Sequence, residues 1–262
     1  MGKTYDISLI GAGNLAWHLG PALENAGHRI REVYSRTPKN AKALQRRLYN
    51  ADIQKDLDFS LSDSEVFIIA VPDQAIEKIS ASIALPHEAV LAHTSGSQSI
   101  EKLESSSTEN TGVFYPLQTF TKGKKVEFND VPILIESSNS YTRNVLMSMA
   151  KSISGHCYDI FADDRMAIHL AAVFACNFTN YMFHISKTLL GKHHFDLDLL
   201  RPLIAETLNK SLDLGPEEAQ TGPARRGDLE TLDRHIAYLQ NPEYREVYRM
   251  LSQQILDLYH EE

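Results

Sequence analysis

The sequence predicts an α/β protein in which a doubly wound, mostly parallel sheet is followed by an all-α region. Three observations predict this architecture. A short apolar strand near the N-terminus runs into a glycine-containing turn and then into a helix. Two later apolar runs, at 66–71 and 89–93, are continuous, as is typical of parallel strands that are covered on both faces. After residue 160 the strand patterns stop and long helical patterns take their place.

The composition indicates a globular protein, which we expect in the cytoplasm. The chain has 262 residues, of which 43% are hydrophobic and 23% are charged. This length suffices for one large domain or two ordinary ones. No apolar run approaches the ~20 residues that cross a bilayer, and the N-terminus lacks a signal sequence, so we expect no membrane partner. The formal net charge of −8 argues against a nucleic-acid partner.

Cysteines and basic clusters give weaker signals. Cys157 and Cys176 have neither the spacing of a metal site nor the density of a disulfide framework, so we expect them to be reduced and buried, with no bound metal. Lys122, Lys124 and Lys125 form a short basic cluster. Such a cluster is more typical of a solvated loop than of a binding surface.

The first strand, 5–10, leads into the turn on which the functional prediction depends. Residues 11–16 have the form G-x-G-x-x-A: Gly11 permits the turn, Gly13 permits close approach of a ligand to the backbone, and Ala16 allows the helix to pack on the strand. The free N–H groups and positive dipole end of this helix attract an anion. We therefore predict a Rossmann-type site in which the pyrophosphate of a dinucleotide is bound by Gly11, Ala12, Gly13, Asn14 and Leu15.

The second strand, 29–35, distinguishes between the two nicotinamide coenzymes. A site for NAD usually has a carboxylate at the end of this strand, whereas this chain has Ser35, Arg36 and Thr37. A guanidinium and two hydroxyls favour the 2′-phosphate of NADP, and Glu32 lies too early to bind the ribose. The alternative is that Arg36 only begins the helix predicted at 38–48.

The third and fourth predicted strands should end at the same crevice. The run 66–71 is followed by Pro72 and Asp73 and by a helix at about 74–83. The run 89–93 is followed by Thr94, Ser95, Gly96 and Ser97. Because ligands bind at the carboxyl ends of such strands, we expect cofactor contacts from Val71, Pro72, Asp73, His93 and Thr94, and a catalytic role for Ser95.

The remaining elements divide the chain into two domains, 1–160 and 161–262. Strands are predicted at 111–115, 131–136 and 156–160, with a helix at 140–154 before the last of them. The second domain begins with a long helix from 162 to about 185, followed by helices at 197–214, 228–239 and 243–260. The long helix is apolar nearly all round, so we expect it to be buried.

Polar residues on this helix are candidates for the chemistry. His169, Val173 and Asn177 are spaced by four and so share one face. Histidine is a residue type that often serves as a general acid or base, so His169 is a candidate for that role, and Asn177 would contact the substrate. The alternative is that both residues bond to neighbouring backbone in the core.

A loop at 221–228 offers a second candidate. Its glycines can bring backbone amides close to a ligand, and Arg226 can bind a carboxylate or phosphate. The alternative for Arg226 is a salt bridge to the first domain, and Asp228 fits the cap of the next helix. Gln118, after the strand at 111–115, is a further candidate for binding the substrate.

These motifs together resemble a bacterial family with a Rossmann-like N-terminal domain and a C-terminal domain of unknown function, DUF2520. The matching pieces are residues 11–14, 35–36, 71–73, 93–96, 115–120, 177, 221–223 and 226–228. That family is similar in architecture to pyrroline-5-carboxylate reductase and to 6-phosphogluconate and 3-hydroxyisobutyrate dehydrogenases. The resemblance implies NADP as cofactor, a helical second domain and a homodimer formed by those helices.

One departure bears on the reaction. The hydroxyacid dehydrogenases carry a catalytic Lys four residues before an Asn on the long helix, whereas this chain has Val173 four residues before Asn177. We therefore favour an NADPH-dependent reductase of a small polar imine or carbonyl compound, with substrate contacts from Gln118, His169, Asn177 and Arg226. The alternative is a non-catalytic sensor of NADP(H).

Overall fold

Eight strands form a single sheet in the computed structural model of the chain, which describes residues 3–260. The strands are β1 (Asp6–Ile10), β2 (Arg29–Tyr34), β3 (Asp52–Gln54), β4 (Val66–Ile69), β5 (Val90–His93), β6 (Thr111–Pro116), β7 (Ile133–Ser137) and β8 (Cys157–Asp159). They lie in the order β3-β2-β1-β4-β5-β6-β7-β8, and every pair is parallel except β6 and β7. The order reverses between β1 and β4, which is where such sheets bind ligands.

Ten α-helices accompany the sheet among the described residues. They are α1 (Asn14–Asn25), α2 (Pro38–Gln45), α3 (Ile76–Ser80), α4 (Ser140–Ile153), α5 (Ala162–Ala172), α6 (Thr179–Gly191), α7 (Arg201–Leu214), α8 (Pro216–Ala219), α9 (Leu229–Tyr238) and α10 (Pro242–His260). A π-helical segment, Val173–Phe178, joins α5 to α6. Short 3₁₀ turns cover Asp73–Ala75, Ile100–Leu103, Phe128–Asp130, Leu197–Leu200 and Ala224–Arg226.

Helices cover both faces of the sheet, as the apolar runs predicted. Successive strand residues point to opposite faces, so Leu9 packs in one core cluster and Ile10 in the other. The first cluster includes the inner faces of α1 and α4, and the second includes Ile76 of α3. The predicted doubly wound sheet with a helical C-terminal region is therefore confirmed.

One strand and one helix differ from the prediction. Strand β3 was not predicted because it has only three residues and is polar at both ends. The helix predicted at 74–83 is instead a 3₁₀ turn followed by the five residues of α3.

The chain divides into two compact units between Ala172 and Val173. Helix α5 therefore belongs to the first unit, although the predicted domain boundary lies before it. The reason is that Arg165 of this helix is buried among residues of the sheet unit, to which it is hydrogen-bonded.

The long helix was expected to be buried, and in the single chain it is not. Residues Val173–Gly191 include no buried side chain. By length and composition alone the helical stretch Ala162–Gly191 would be long enough to cross a membrane, with a mean hydropathy of 1.2, a property it shares with core helices of globular proteins. The expected burial of the cysteines was also wrong, because Cys157 is half-buried and Cys176 is exposed.

Candidate functional site

The turn after β1 has the geometry that the motif predicted. Gly11 has φ +120°, and a Cβ at this position would lie 2.1 Å from the carbonyl oxygen of Ala70. Its N–H donates to Tyr34 O at 2.7 Å, which ties the turn to the end of β2. Gly13 has open space around its Cα, with the nearest such contact at 3.9 Å. Only glycine fits at position 11, whereas position 13 leaves the backbone accessible from outside.

Helix α1 begins directly at this turn with its first N–H groups available. Among the described residues no side chain caps this end, and the first turn holds no acidic residue. An uncapped helix start retains both its free donors and the positive end of its dipole. The residues present therefore fit the pyrophosphate of a dinucleotide.

A cavity of about 650 Å³ lies at this edge of the sheet and joins three of the predicted segments. The predicted residues that line it are Gly11, Ala12, Gly13, Ser35, Arg36, Thr37, Val71 and Pro72. Lining residues that the sequence did not single out include Asn40, from α2, and Gln74 and Lys78, from the segment that follows β4. Asn14, Leu15, Asp73, His93 and Thr94 do not line it.

The charge of the lining favours a phosphorylated ribose. Arg36 and Lys78 are its two cations, and among the described lining residues there is no carboxylate. The nearby Glu32 accepts hydrogen bonds from Ser8, Ser62 and Ser64, so its carboxylate is already engaged elsewhere. This agrees with the expectation that Glu32 lies too early to bind a ribose.

His93 has a structural position that differs from the predicted cofactor contact. Its side chain is fully buried, its Nδ1 accepts the Ser95 N–H at 3.1 Å, and its Nε2 donates to Ser99 O at 3.3 Å. Burial, aided by the positive charge of Arg165, lowers the pKa of His93 to about 4. The ring is neutral and holds the loop after β5, so its side chain has no free group for a cofactor.

Ser95 and Thr94 are engaged with the backbone in the same way. Ser95 is buried, and its Oγ accepts the N–H groups of Ser97 at 3.2 Å and Gln98 at 3.1 Å. Thr94 Oγ1 donates to Ile69 O at 3.2 Å. The predicted catalytic role of Ser95 does not fit this geometry, because its hydroxyl caps a turn. Ser97 Oγ donates to Asp73 Oδ2 at 2.9 Å and so links the ends of β4 and β5.

Arg165 is the main residue of the candidate site that sequence reasoning missed. Its side chain is buried, pairs with Glu136 at 2.9 Å, and donates to the carbonyl oxygens of Ser95 at 3.1 Å and Gly96 at 2.9 Å. The guanidinium therefore fixes the loop after β5 to the start of α5. Its only sequence signal is an arginine in the first turn of α5, where a cation is unfavourable for the dipole.

His169 lies one turn after Arg165 and meets Tyr115 at the end of β6. The Tyr115 hydroxyl and His169 Nδ1 are 3.0 Å apart. Both rings press against Gly96, where a Cβ would lie 2.5 Å from His169 Nδ1 and 2.6 Å from Tyr115 Cζ. Burial raises the pKa of Tyr115, so its hydroxyl keeps its proton at neutral pH. Tyr115 and His169 are therefore hydrogen-bonded to each other at the carboxyl edge of the sheet, and side chains of these two types can donate a proton.

The other predicted substrate residues are exposed. Gln118 lies after β6, and its Oε1 accepts the Thr119 N–H at 2.8 Å. Asn177 lies in the π-helical segment of the second unit, a geometry that is frequent at functional sites. Arg226 ends a 3₁₀ turn in that unit, and Asp228 accepts the Thr231 N–H at 3.1 Å as the expected helix cap.

The described residues contain no group of three potential metal ligands close enough to hold an ion.

Two family models match the chain. Residues 6–105 match a model described as NADP oxidoreductase, coenzyme F420-dependent, and residues 131–255 match the domain of unknown function DUF2520. The second match begins near β7, so it includes the antiparallel edge of the sheet as well as the helical unit. No curated protein matches the chain.

Solved structures give the same assignment. The crystal structure of a proposed NADP oxidoreductase from Bacteroides fragilis is 37% identical, with a TM-score of 0.89, and the match covers 97% of this chain and 98% of that one. An imine reductase from Pseudomonas sp. (16% identity, TM-score 0.61, 98% and 91% covered) and the NADP-bound pyrroline carboxylate reductase of Plasmodium falciparum (15%, 0.58, 99% and 98%) share the fold. The chain belongs to the NADP oxidoreductase family in which an N-terminal domain of this type is joined to a DUF2520 domain.

Proposed function

We propose that the protein is an NADPH-dependent reductase that adds a hydride to the carbon of a C=N or C=O group in a small polar substrate. The observation that carries this proposal is the cavity at the glycine turn, where Arg36 and Lys78 are the only charged residues in the lining formed by the described part of the chain. A dinucleotide with a 2′-phosphate matches this lining, because the turn amides bind pyrophosphate and the cations bind the extra phosphate.

The residues of the chain would hold the coenzyme and move a proton. When bound, NADPH would supply the hydride. Arg165 holds the loop after β5, so that its backbone forms a fixed wall at the carboxyl edge where the reactive end of the coenzyme would lie. Tyr115 would donate its hydroxyl proton to the substrate nitrogen or oxygen as the hydride adds to carbon, and His169 would pass a replacement proton from solvent.

The chemistry favours an imine over a hydroxyacid. The related hydroxyacid dehydrogenases use a lysine at the position of Val173, and a valine cannot transfer a proton. A protonated imine already accepts hydride and needs less help from the protein. Reductases of imines and of pyrroline carboxylate are among the proteins that share this fold. We propose Gln118, Asn177 and Arg226 as polar contacts that select the substrate.

Binding of the coenzyme tests the proposal directly. Arg36→Ala should raise the Kd for NADPH by ~10-fold or more, because a charge-assisted hydrogen bond to the 2′-phosphate is lost. The Kd for NADH should change little, since that coenzyme lacks this phosphate. Isothermal titration calorimetry of wild type and variant with each coenzyme measures the four Kd values. An equal loss for both coenzymes would contradict the 2′-phosphate assignment.

Turnover distinguishes the reductase from the alternative. NADPH consumption should be measured with cyclic imines, ketoacids, aldehydes and, because the family description names it, coenzyme F420. With the substrate that is turned over, Tyr115→Phe should lower kcat by ~100-fold while the Kd for NADPH stays unchanged. A variant with wild-type kcat would exclude Tyr115 as the proton donor.

The second candidate function is a non-catalytic sensor of NADP(H). The absence of a lysine at Val173 favours it, because the proton-transfer group of the related dehydrogenases is missing there. Tight binding of NADPH without turnover of any compound class would support the sensor.

We also propose that the protein is a cytoplasmic homodimer joined through its C-terminal helices, with no membrane or nucleic-acid partner. The support is the long helix, on which Phe174, Phe178 and Tyr181 are 62%, 48% and 44% exposed. Single chains rarely leave so much contiguous apolar surface in water. A second copy of the same helix would bury it.

A further inference from the structure

The connection between β6 and β7 reaches back to the glycine turn. Lys122 Nζ donates to the carbonyl oxygen of Ala12 at 3.1 Å, across 110 positions of sequence. The neighbouring Thr121 O lies 3.0 Å from His18 Nε2 on α1. Phe120 packs against the His18 ring with a centroid distance of 5.8 Å. Three consecutive residues of this connection therefore contact the turn or the helix that follows it.

Lys122 places a positive charge where the fold is already positive. Its ammonium lies against the turn from which α1 starts, and the free N–H groups of that helix end carry a partial positive charge. Among the described residues Lys122 has no carboxylate partner, since its hydrogen bond is to a carbonyl oxygen. A cation and a helix start that converge in this way lower the energy of an anion between them.

Trp17 shares this environment and provides a reporter. Lys122 Nζ lies 5.1 Å from the centroid of the Trp17 ring, and the Arg47 guanidinium lies 4.4 Å from it. The Trp17 Nε1 atom is buried without a hydrogen-bond partner. Trp17 is the only tryptophan of the chain, so its fluorescence reports on this one place.

We propose that Lys122 binds the pyrophosphate of the coenzyme, exchanging the carbonyl oxygen of Ala12 for phosphate oxygens. This inference rests on the proposed function, because it assumes a dinucleotide at the turn. It corrects the sequence-based view of residues 122–125 as a solvated basic cluster: Lys122 is half-buried, whereas Lys124 and Lys125 are exposed. Pyrophosphate is common to all nicotinamide dinucleotides, so Lys122 would set affinity without distinguishing NADP from NAD.

The test compares Lys122→Met with the matched control Lys124→Met, in titrations of the full-length protein with NADP⁺, NAD⁺ and adenosine 2′-monophosphate. Lys122→Met should raise the Kd for both dinucleotides by the same factor, ~10-fold or more, and leave the mononucleotide unaffected. Lys124→Met should behave as wild type in all three titrations. Saturating NADP⁺ should change Trp17 fluorescence in wild type and in Lys124→Met, and change it less in Lys122→Met.

Each of the other outcomes contradicts either the role proposed for Lys122 or the proposed function. If wild type binds NADP⁺ and Lys122→Met binds both dinucleotides equally well, the inference is wrong and the proposed function stands. If Lys122→Met loses affinity for NADP⁺ alone, Lys122 does not bind pyrophosphate. If wild type binds neither dinucleotide, the proposed function fails together with the inference. Thermal unfolding of each variant without ligand shows whether a lost affinity reflects a lost fold.

Discussion

At the scale of single residues, the sequence predicted which residues lie at the ends of the strands, but it did not always predict the direction in which their side chains point. His93 lies at the end of β5, as predicted, yet its ring points into the core and not toward the crevice. Successive residues of a strand point to opposite faces of the sheet. When both faces are buried, the sequence pattern does not show toward which face a polar residue points. The two ring nitrogens then find backbone partners within six residues.

The buried His93 predicts how stability depends on pH. In the fold its pKa is about 4, whereas in the unfolded chain it is close to 6.5. Between these values the unfolded state binds more protons, so the contribution of His93 to stability is present above pH 6.5 and is lost as the pH falls toward 4. The full loss is about 3 kcal/mol, an order-of-magnitude figure for a shift of this size.

Urea unfolding between pH 7 and pH 4 measures this effect. His93→Asn keeps an acceptor for the Ser95 N–H but does not titrate in this range, so its free energy of unfolding should fall less steeply with decreasing pH. Burial also lowers the pKa of His28, which contributes to the slope in both proteins and cancels in the comparison. Equal slopes in wild type and variant would contradict the assignment.

At the scale of elements, the sequence predicted most of the sheet but not how α5 is joined to it. The apolar runs and the glycine turn are local patterns, and β1, β2, β4, β5, β6, β7 and β8 lie where those patterns placed strands. The ion pair between Arg165 and Glu136 joins residues that are 29 positions apart. No periodicity reveals such a pair, because each residue alone looks like an ordinary solvated charge.

Long sequence separation also explains why some residues of the candidate site were not predicted. Tyr115 belongs to a motif that supported the resemblance, but its partner His169 was assigned to the other domain, so the pair could not be recognised. Lys78 lines the cavity from a short helix, and Lys122 reaches Ala12 from a long connection. The paths of both segments depend on tertiary packing. The local segments that we propose to bind phosphate were predictable, and the residues brought to them from a distance were not.

At the scale of the whole molecule, the long helix shows that an apolar pattern predicts burial but does not identify the surface that covers it. Its sequence encodes burial, but the pattern does not say whether the covering surface comes from the same chain. In the single chain its apolar side chains are exposed, and Phe174 packs edge-on against Phe178 with ring centroids 5.0 Å apart. An exposed apolar surface of this kind favours association.

The homodimer proposal predicts the mass of the protein in solution. Wild type should have twice the 29.5 kDa mass of the chain, measured by light scattering after size exclusion. Phe174→Glu should shift the mass toward that of the monomer, because a carboxylate buried in an apolar interface is costly. Leu61→Glu is the matched control, since Leu61 is 98% exposed in the first unit and should not affect association. A monomeric wild type, or a Phe174→Glu variant that stays dimeric, would contradict the role of this helix as the interface.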